Sequence, residues 1–280
     1  MNVMNGKKIA RELEGKLKLE VLELTEKYKR APKLIVVLVG NNPASLSYVK
    51  SKEKACKRVG IDGETLHLDE SITESELINL VHKLNKDDSV DAMIIQLPLP
   101  SHIDPDTVLN EVDSSKDVDG LSLLNAGKLM NRQKGFLPAT PKGIMILLDY
   151  FNIDIPGKEA VVIGRSNLVG CPTGKLLINA GATVTICHRH TKDLKKHTLQ
   201  ADILIVATGV VHLVKADMIK PGAIVIDVGI TRVGDKLVGD VDYENVKEVA
   251  SLITPVPGGV GPMTIFALME NVVEAFKLRQ

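Results

Sequence analysis

The chain has 280 residues, 44% of them hydrophobic, and its 35 basic side chains balance 35 acidic ones. That length lets a folded chain bury roughly three quarters of its unfolded surface, enough for two modest cores. The charge balance argues against a nucleic-acid partner, which calls for a basic excess, and no apolar run approaches the length of a membrane span. Glu12, Glu14, Glu20 and Glu23 among the early lysines argue against a signal or transit peptide. Cys56, Cys171 and Cys187 form no CxxC pair and leave an odd count, which points to a reducing, cytoplasmic setting.

Ile9, Leu13, Leu17, Val21, Leu24 and Tyr28 recur at three- and four-residue steps, predicting an amphipathic helix over residues 7–28. Pro32 ends it, and the apolar run from Leu34 to Val39 reads as a buried strand. Asn41-Asn42-Pro43 makes a turn into a helix ending at Gly60. Residues 62–69 alternate like a strand, Thr73 and Glu76 fit a capping box, and a helix follows to about Asn85. Asp91 to Leu97 is the next strand, stopped by Pro98-Leu99-Pro100. Beyond residue 120 a loop containing Asn125 and Gly127 is expected, then an N-cap at Thr140 with Pro141 opening a helix to about Phe151.

Residues 158–190 form the most informative stretch. A short apolar strand, Ala160 to Ile163, runs into a loop with glycines at 164, 170 and 174. A helix through Leu176, Leu177 and Ile178 stops at Gly181, and a second strand runs from Thr183 to Cys187. This is a βαβ unit whose loop opens a helix where a phosphate group can be held. The loop G-R-S-N-L-V-G departs from the usual dinucleotide fingerprint, with Ser166 in place of a second glycine. The second strand ends in His188-Arg189-His190 rather than in an acid, and Arg165 adds charge at the loop. Positive charge at both places suits a 2′-phosphate, favouring NADP over NAD. Cys187, His188 and His190 match no common zinc spacing, so no metal is expected. Strands at Ile203–Ala207 and Ala223–Val228, a small hairpin around Lys236–Val238 and a helix over 262–278 complete the chain.

Three places outside that unit carry candidate chemistry. Tyr48 and Lys52 share a face of the second helix, where the bland alternative is a solvated lysine face. Gln96 lies at the carboxyl end of a strand, where ligands of open α/β sheets bind; a strand-capping glutamine is the alternative. Lys116-Asp117-Val118-Asp119-Gly120 could be only a turn.

Y-V-K-S-K at 48–52, Q-L-P-L-P at 96–100, K-D-V-D-G at 116–120, G-R-S-N-L-V-G at 164–170 and T-P-V-P-G-G-V-G-P-M-T at 254–264 occur in this order. Together they resemble the bifunctional methylenetetrahydrofolate dehydrogenase/cyclohydrolase family over essentially the whole chain. The resemblance implies oxidation of 5,10-methylenetetrahydrofolate to 5,10-methenyltetrahydrofolate, then hydrolysis to 10-formyltetrahydrofolate. It makes Lys52 the chief catalytic residue, with Tyr48 stacking on the folate, Gln96 supporting the lysine and Asp119 holding the pterin. Leu97 and Pro98 would border the folate, as would Pro255, Pro257, Gly258, Gly259, Gly261 and Pro262. Gly164, Arg165, Ser166 and Arg189 would bind NADP, with Ile230 close by.

The resemblance also implies a homodimer formed through the nucleotide domain, with no nucleic-acid or membrane partner. The expected fold is α/β, with two α/β domains flanking a cleft. A catalytic domain of residues 1–139 plus 262–280 would accompany a Rossmann-type NAD(P)-binding domain of 140–261. Lys52 could serve as a base if desolvation or the flanking Lys50 and Lys54 lowered its pKa, or as a charged proton donor. An NAD(P)-dependent dehydrogenase without the hydrolytic half is the alternative.

Overall fold

The structure, a computed structural model, describes residues 3–280. They divide into two compact units. One comprises Arg11–Ala139 with Ile265–Gln280, the other Thr140–Thr264 with the described residues up to Ala10.

Helix α1 (Gly6–Tyr28) is followed by β1 (Lys33–Val39), α2 (Pro43–Val59), β2 (Asp62–Leu68), α3 (Glu74–Lys86) and β3 (Ala92–Ile95). The strands form a parallel sheet in the order β2-β1-β3. Central β1 is buried from Leu34 to Val39, which is why it reads as an unbroken apolar run, whereas edge β2 is largely exposed and reads mixed. The Asn42 side chain accepts from the Ala44 and Ser45 N–H groups to start α2, and Gly60 closes it with φ of 88°. Thr73 and Glu76 form the reciprocal capping box that opens α3.

In the first unit two helices depart from the sequence expectation. Pro105–Glu111 forms α4, and the supposed loop after residue 120 contains α5 (Leu123–Met130), opened by the Ser122 side chain. On α5 Leu123, Leu124 and Met130 are exposed while Asn125 and Leu129 are buried, so its apolar residues do not mark the face it buries. Helix α6 (Ala139–Tyr150) begins before Thr140, whose hydroxyl meets that of Thr264 at 3.0 Å rather than capping the helix.

The second unit continues with β4 (Glu159–Ile163), α7 (Gly170–Asn179), β5 (Thr183–Cys187), α8 (Leu194–Thr198) and β6 (Ile203–Val206). Then come β7 (Ile224–Asp227), the hairpin β8 (Thr231–Val233) and β9 (Lys236–Val238), α9 (Tyr243–Val246) and β10 (Leu252–Ile253). Its parallel sheet has the order β10-β7-β6-β4-β5. That order places β4 between β5 and β6, so the loop after β4 opens beside the reversal of strand order, where α/β sheets bind ligands. All four residues of β6 are fully buried, Leu204 and Val206 among a core that includes Val161, Ile163, Val225 and Ile253.

The chain boundaries differ from those expected. Val3 bridges Ile253, the Met4 N–H donates to the Ile253 carbonyl at 2.8 Å and the Lys7 N–H to Gly258 at 2.9 Å. These backbone bonds tie residues 3–10 to the second unit rather than to the first. Helix α10 (Val260–Leu278) starts before Pro262, so Gly261 lies in its first turn. Gly259, just before it, is buried.

Candidate active site

In the first unit, Lys52 projects from the buried face of α2 and is 8% exposed. Its Nζ donates to Gln96 Oε1 at 3.1 Å, and Gln96 Nε2 donates to the Leu97 carbonyl at 2.8 Å. Ser45 Oγ reaches the same carbonyl from one end of α2. The carboxyl end of β3 and the middle of α2 are thus stitched into one polar corner. Lys50 and Lys54 are exposed, since two residues along a helix turn about 200° from the face of Lys52. Tyr48, one turn earlier on the face of Lys52, is 48% exposed and free to present its ring to a ligand.

Asp119 lies close enough to Lys52 for their charges to interact. Burial raises the Asp119 carboxyl above its ordinary value; the Lys52 ammonium opposes that shift and Asp117 adds to it. Its loop is held by residues to which the sequence reading gave no role. Asp117 accepts from the Leu121 and Ser122 N–H groups and from Asn125 Nδ2. Asn271 on α10 donates to the carbonyls of Val118 and Leu137 at 2.8 and 3.0 Å. The one available sign of Asn271 was a polar residue inside an apolar helical stripe; Asn125 had been read as loop. Leu97 and Pro98 follow Gln96 directly, joined by a cis peptide bond.

In the second unit, β4 runs into Gly164 at φ of 126°. A Cβ there would fall 2.3 Å from the Ala207 carbonyl oxygen, and one on Gly170 would fall 2.1 Å from that of Gly164. Both positions exclude any side chain, which leaves backbone open at the start of α7. Ser166 Oγ accepts from the Val169 N–H at 3.1 Å, so Ser166 shapes the loop from which a helix begins without a capping side chain at Val169. Arg165 and Arg189 are exposed. Arg189 Nε donates to His190 Nε2 at 3.1 Å, and the His190 N–H to His188 Nδ1 at 3.2 Å, which organises the turn after β5. Open backbone, a helix start and two exposed guanidiniums fit a phosphorylated dinucleotide.

Ile230 lies with Pro255, Pro257, Gly258, Gly259, Gly261 and Pro262 in the wall of a cavity of about 300 Å³, which Asp227 and Lys7 also line. The expected folate-bordering loop and the residue expected beside the cofactor thus share one cavity inside the second unit. Neither Lys7 nor Asp227 was singled out from sequence. Among the described residues, no group of three His, Cys, Asp or Glu side chains could hold a metal ion, and no helix is long and apolar enough to cross a membrane.

Comparison with known proteins places both halves. Residues 4–119 match the family profile described as tetrahydrofolate dehydrogenase/cyclohydrolase, catalytic domain, and residues 138–280 that of the NAD(P)-binding domain. The bifunctional protein FolD of Aquifex aeolicus is 50% identical, over 98% of this chain and 95% of its own. A crystal structure of the bifunctional FolD dehydrogenase/cyclohydrolase of Campylobacter jejuni superposes with a TM-score of 0.98 at 51% identity, covering 99% of each chain. The Trypanosoma brucei enzyme, solved with NADP and an inhibitor, gives 0.95 at 36% identity, covering 99% of this chain and 97% of its own. The chain belongs to the tetrahydrofolate dehydrogenase/cyclohydrolase family.

Proposed function

We propose that the chain oxidises 5,10-methylenetetrahydrofolate with NADP and hydrolyses the resulting 5,10-methenyl compound to 10-formyltetrahydrofolate. The observation that carries this is the buried Lys52 ammonium bonded to Gln96 at the carboxyl end of β3, with Asp119 in its field. Asp119 accepts the adjacent N–H groups of the pterin, a geometry suited to a carboxylate. Tyr48 stacks on the folate, and Leu97 and Pro98 border it. Gln96 fixes the direction of the Lys52 side chain.

Bound NADP supplies the hydride acceptor. Gly164, Arg165, Ser166 and Arg189 hold it, with Ile230 beside it. Hydride transfer needs alignment and exclusion of water rather than an acid or base. Hydrolysis does need proton handling. Lys52 orients the attacking water and delivers a proton to the ring nitrogen that departs as the ring opens. The chain acts as a homodimer through the nucleotide unit, in a reducing cytoplasm. Edge strand β5, which exposes Ile186, and the exposed Ile178 on α7 support that pairing.

Initial rates of methenyltetrahydrofolate formation with NADP and with NAD test the assignment. Faster turnover with NADP, lost selectively in Arg165→Ala and Arg189→Ala, is expected. No product with NADP refutes it.

A further inference from the structure

The lysine of the K-D-V-D-G stretch has no part in the folate chemistry, yet Lys116 is only 1% exposed. Its Nζ donates to the carbonyls of Leu84 at 2.8 Å and Asp87 at 2.7 Å, in and just beyond the last turn of α3. A helix end leaves such carbonyls without partners inside the helix and favours a cation beside them. Burying an ammonium is costly unless it is bonded, and the two carbonyls supply those bonds. Asn85, in the same turn, takes up the residues just before Lys116. Its Nδ2 donates to the Glu111 carbonyl at 2.7 Å, and its Oδ1 accepts from the Asp113 N–H at 3.0 Å. The end of α3 thus holds residues 111–116 through the side chains of Asn85 and Lys116.

From Lys116 the fastening passes to the backbone that carries Asp119. The Lys116 carbonyl accepts from the Met93 N–H at 2.8 Å, and Asp117 bridges Met93 in parallel, which adds the loop to the edge of the sheet at β3. The Val118 N–H turns back to the same Lys116 carbonyl at 2.9 Å. On the far side of Asp119, Gly120 has φ of 65°, and a Cβ there would fall 2.6 Å from the Phe136 carbonyl oxygen. The Asp119 carboxyl itself accepts no hydrogen bond from the described residues. Its direction is therefore set by the backbone on either side.

We propose that Lys116 is a positioning residue for folate: by clamping residues 116–118 between the end of α3 and the edge of β3, it sets where the Asp119 carboxyl meets the pterin. The proposal rests on Asp119 being the pterin ligand. Lys116 touches no ligand and acts only through the loop. Lys52 and Gln96 keep their own bond from α2 to the end of β3, so the clamp bears on folate binding rather than on the chemical steps.

Initial rates of methenyltetrahydrofolate formation by the full chain, with 5,10-methylenetetrahydrofolate varied at saturating NADP, test it. Lys116→Met keeps most of the buried stem and removes the ammonium. The folate KM should rise about tenfold, and by no more than in Asp119→Asn, because a displaced carboxylate loses at most the bonds that a deleted one loses. The kcat should stay within about twofold, the pattern of a change confined to binding. A lysine that only stabilised the fold would lower the active fraction, and with it the apparent kcat, at an unchanged KM; that result overturns the proposal. Added to Asp119→Asn, Lys116→Met should change the folate KM by less than about twofold, since both act through one group. A full further loss in the double variant means another route and also overturns it. If Asp119→Asn alone leaves the folate KM at the parent value, the pterin assignment is what failed.

Lys116→Gln, which keeps an N–H donor, should show the same split at smaller size and serves where the methionine variant does not fold. Hydrogen exchange in the parent adds a readout that needs no variant. The N–H groups of Met93, Val118 and Gly120, bonded within the clamp, should exchange only through global unfolding. Exchange as fast as that of exposed turns overturns the clamp.

Discussion

Replacing Lys52 by methionine removes one ammonium from a site where it is 8% exposed and bonded to Gln96 at 3.1 Å, while retaining most of its buried stem. Gln96 Oε1 loses its donor, a cost of about 1 kcal/mol, so the fold should survive. The loss to hydrolysis should be far larger. Positioned proton transfer contributes roughly 10²–10⁴-fold, and at about 1.36 kcal/mol per decade that is about 3–5 kcal/mol of barrier. The assay is the disappearance of preformed methenyltetrahydrofolate, followed by its absorbance. NADP binding is the control and should be unchanged, because the glycine loop and its hydrogen bonds belong to the other unit. Hydration at the parent rate by Lys52→Met would refute the role given to this lysine.

Four further outcomes follow from the same geometry. Asp119→Asn should raise the folate KM about 10- to 100-fold, since charged hydrogen bonds are worth about 1.5–3 kcal/mol, and leave the NADP dissociation constant unchanged. Because burial raises the folded-state value of Asp119, folate affinity should fall on acidification at a pH above that of an ordinary aspartate; the same shift makes its contribution to stability decline as pH rises through the folded value. A folate affinity flat through the acid range would contradict this, with calorimetry as the measurement. Arg30→Ala should cost about 3 kcal/mol in chemical denaturation, the low end for a broken buried pair. Asp91 is fully buried and loses bonds of 2.6 and 2.8 Å, but keeps the Lys33 N–H at 2.8 Å and the Arg279 guanidinium at 3.8 Å. Finally, Arg189→Ala should weaken NADP about tenfold or more while sparing NAD, as removal of a phosphate-paired guanidinium requires; equal losses for both dinucleotides in calorimetric titrations would remove Arg189 from the phosphate site.

The sequence exposed those parts of the molecule whose local chemistry is strong. Buried β1, β4 and β6 announce themselves as apolar runs, and Thr73 and Glu76 mark a helix start by reciprocal hydrogen bonding. Gly164 and Gly170 were legible because only glycine fits against the Ala207 and Gly164 carbonyls. Helix α5 was not, since Leu123 and Leu124 face solvent while the polar Asn125 is buried, and its cap, Ser122, is an ordinary loop residue. The attachment of residues 3–10 to β10 depends on backbone pairing between distant segments, which no side-chain pattern records. Lys52 stood out by position on a helix face, but only tertiary structure separates it from Lys50 and Lys54.

The most direct test of the central claim is a stoichiometry. The chain is mixed with 5,10-methylenetetrahydrofolate and NADP, NADPH is followed by fluorescence, and folate products are separated at intervals. One 10-formyltetrahydrofolate should form for each NADPH, with the methenyl compound never accumulating beyond a small steady level. NADPH formation with methenyltetrahydrofolate building up and decaying only at its rate in buffer would contradict a two-step enzyme.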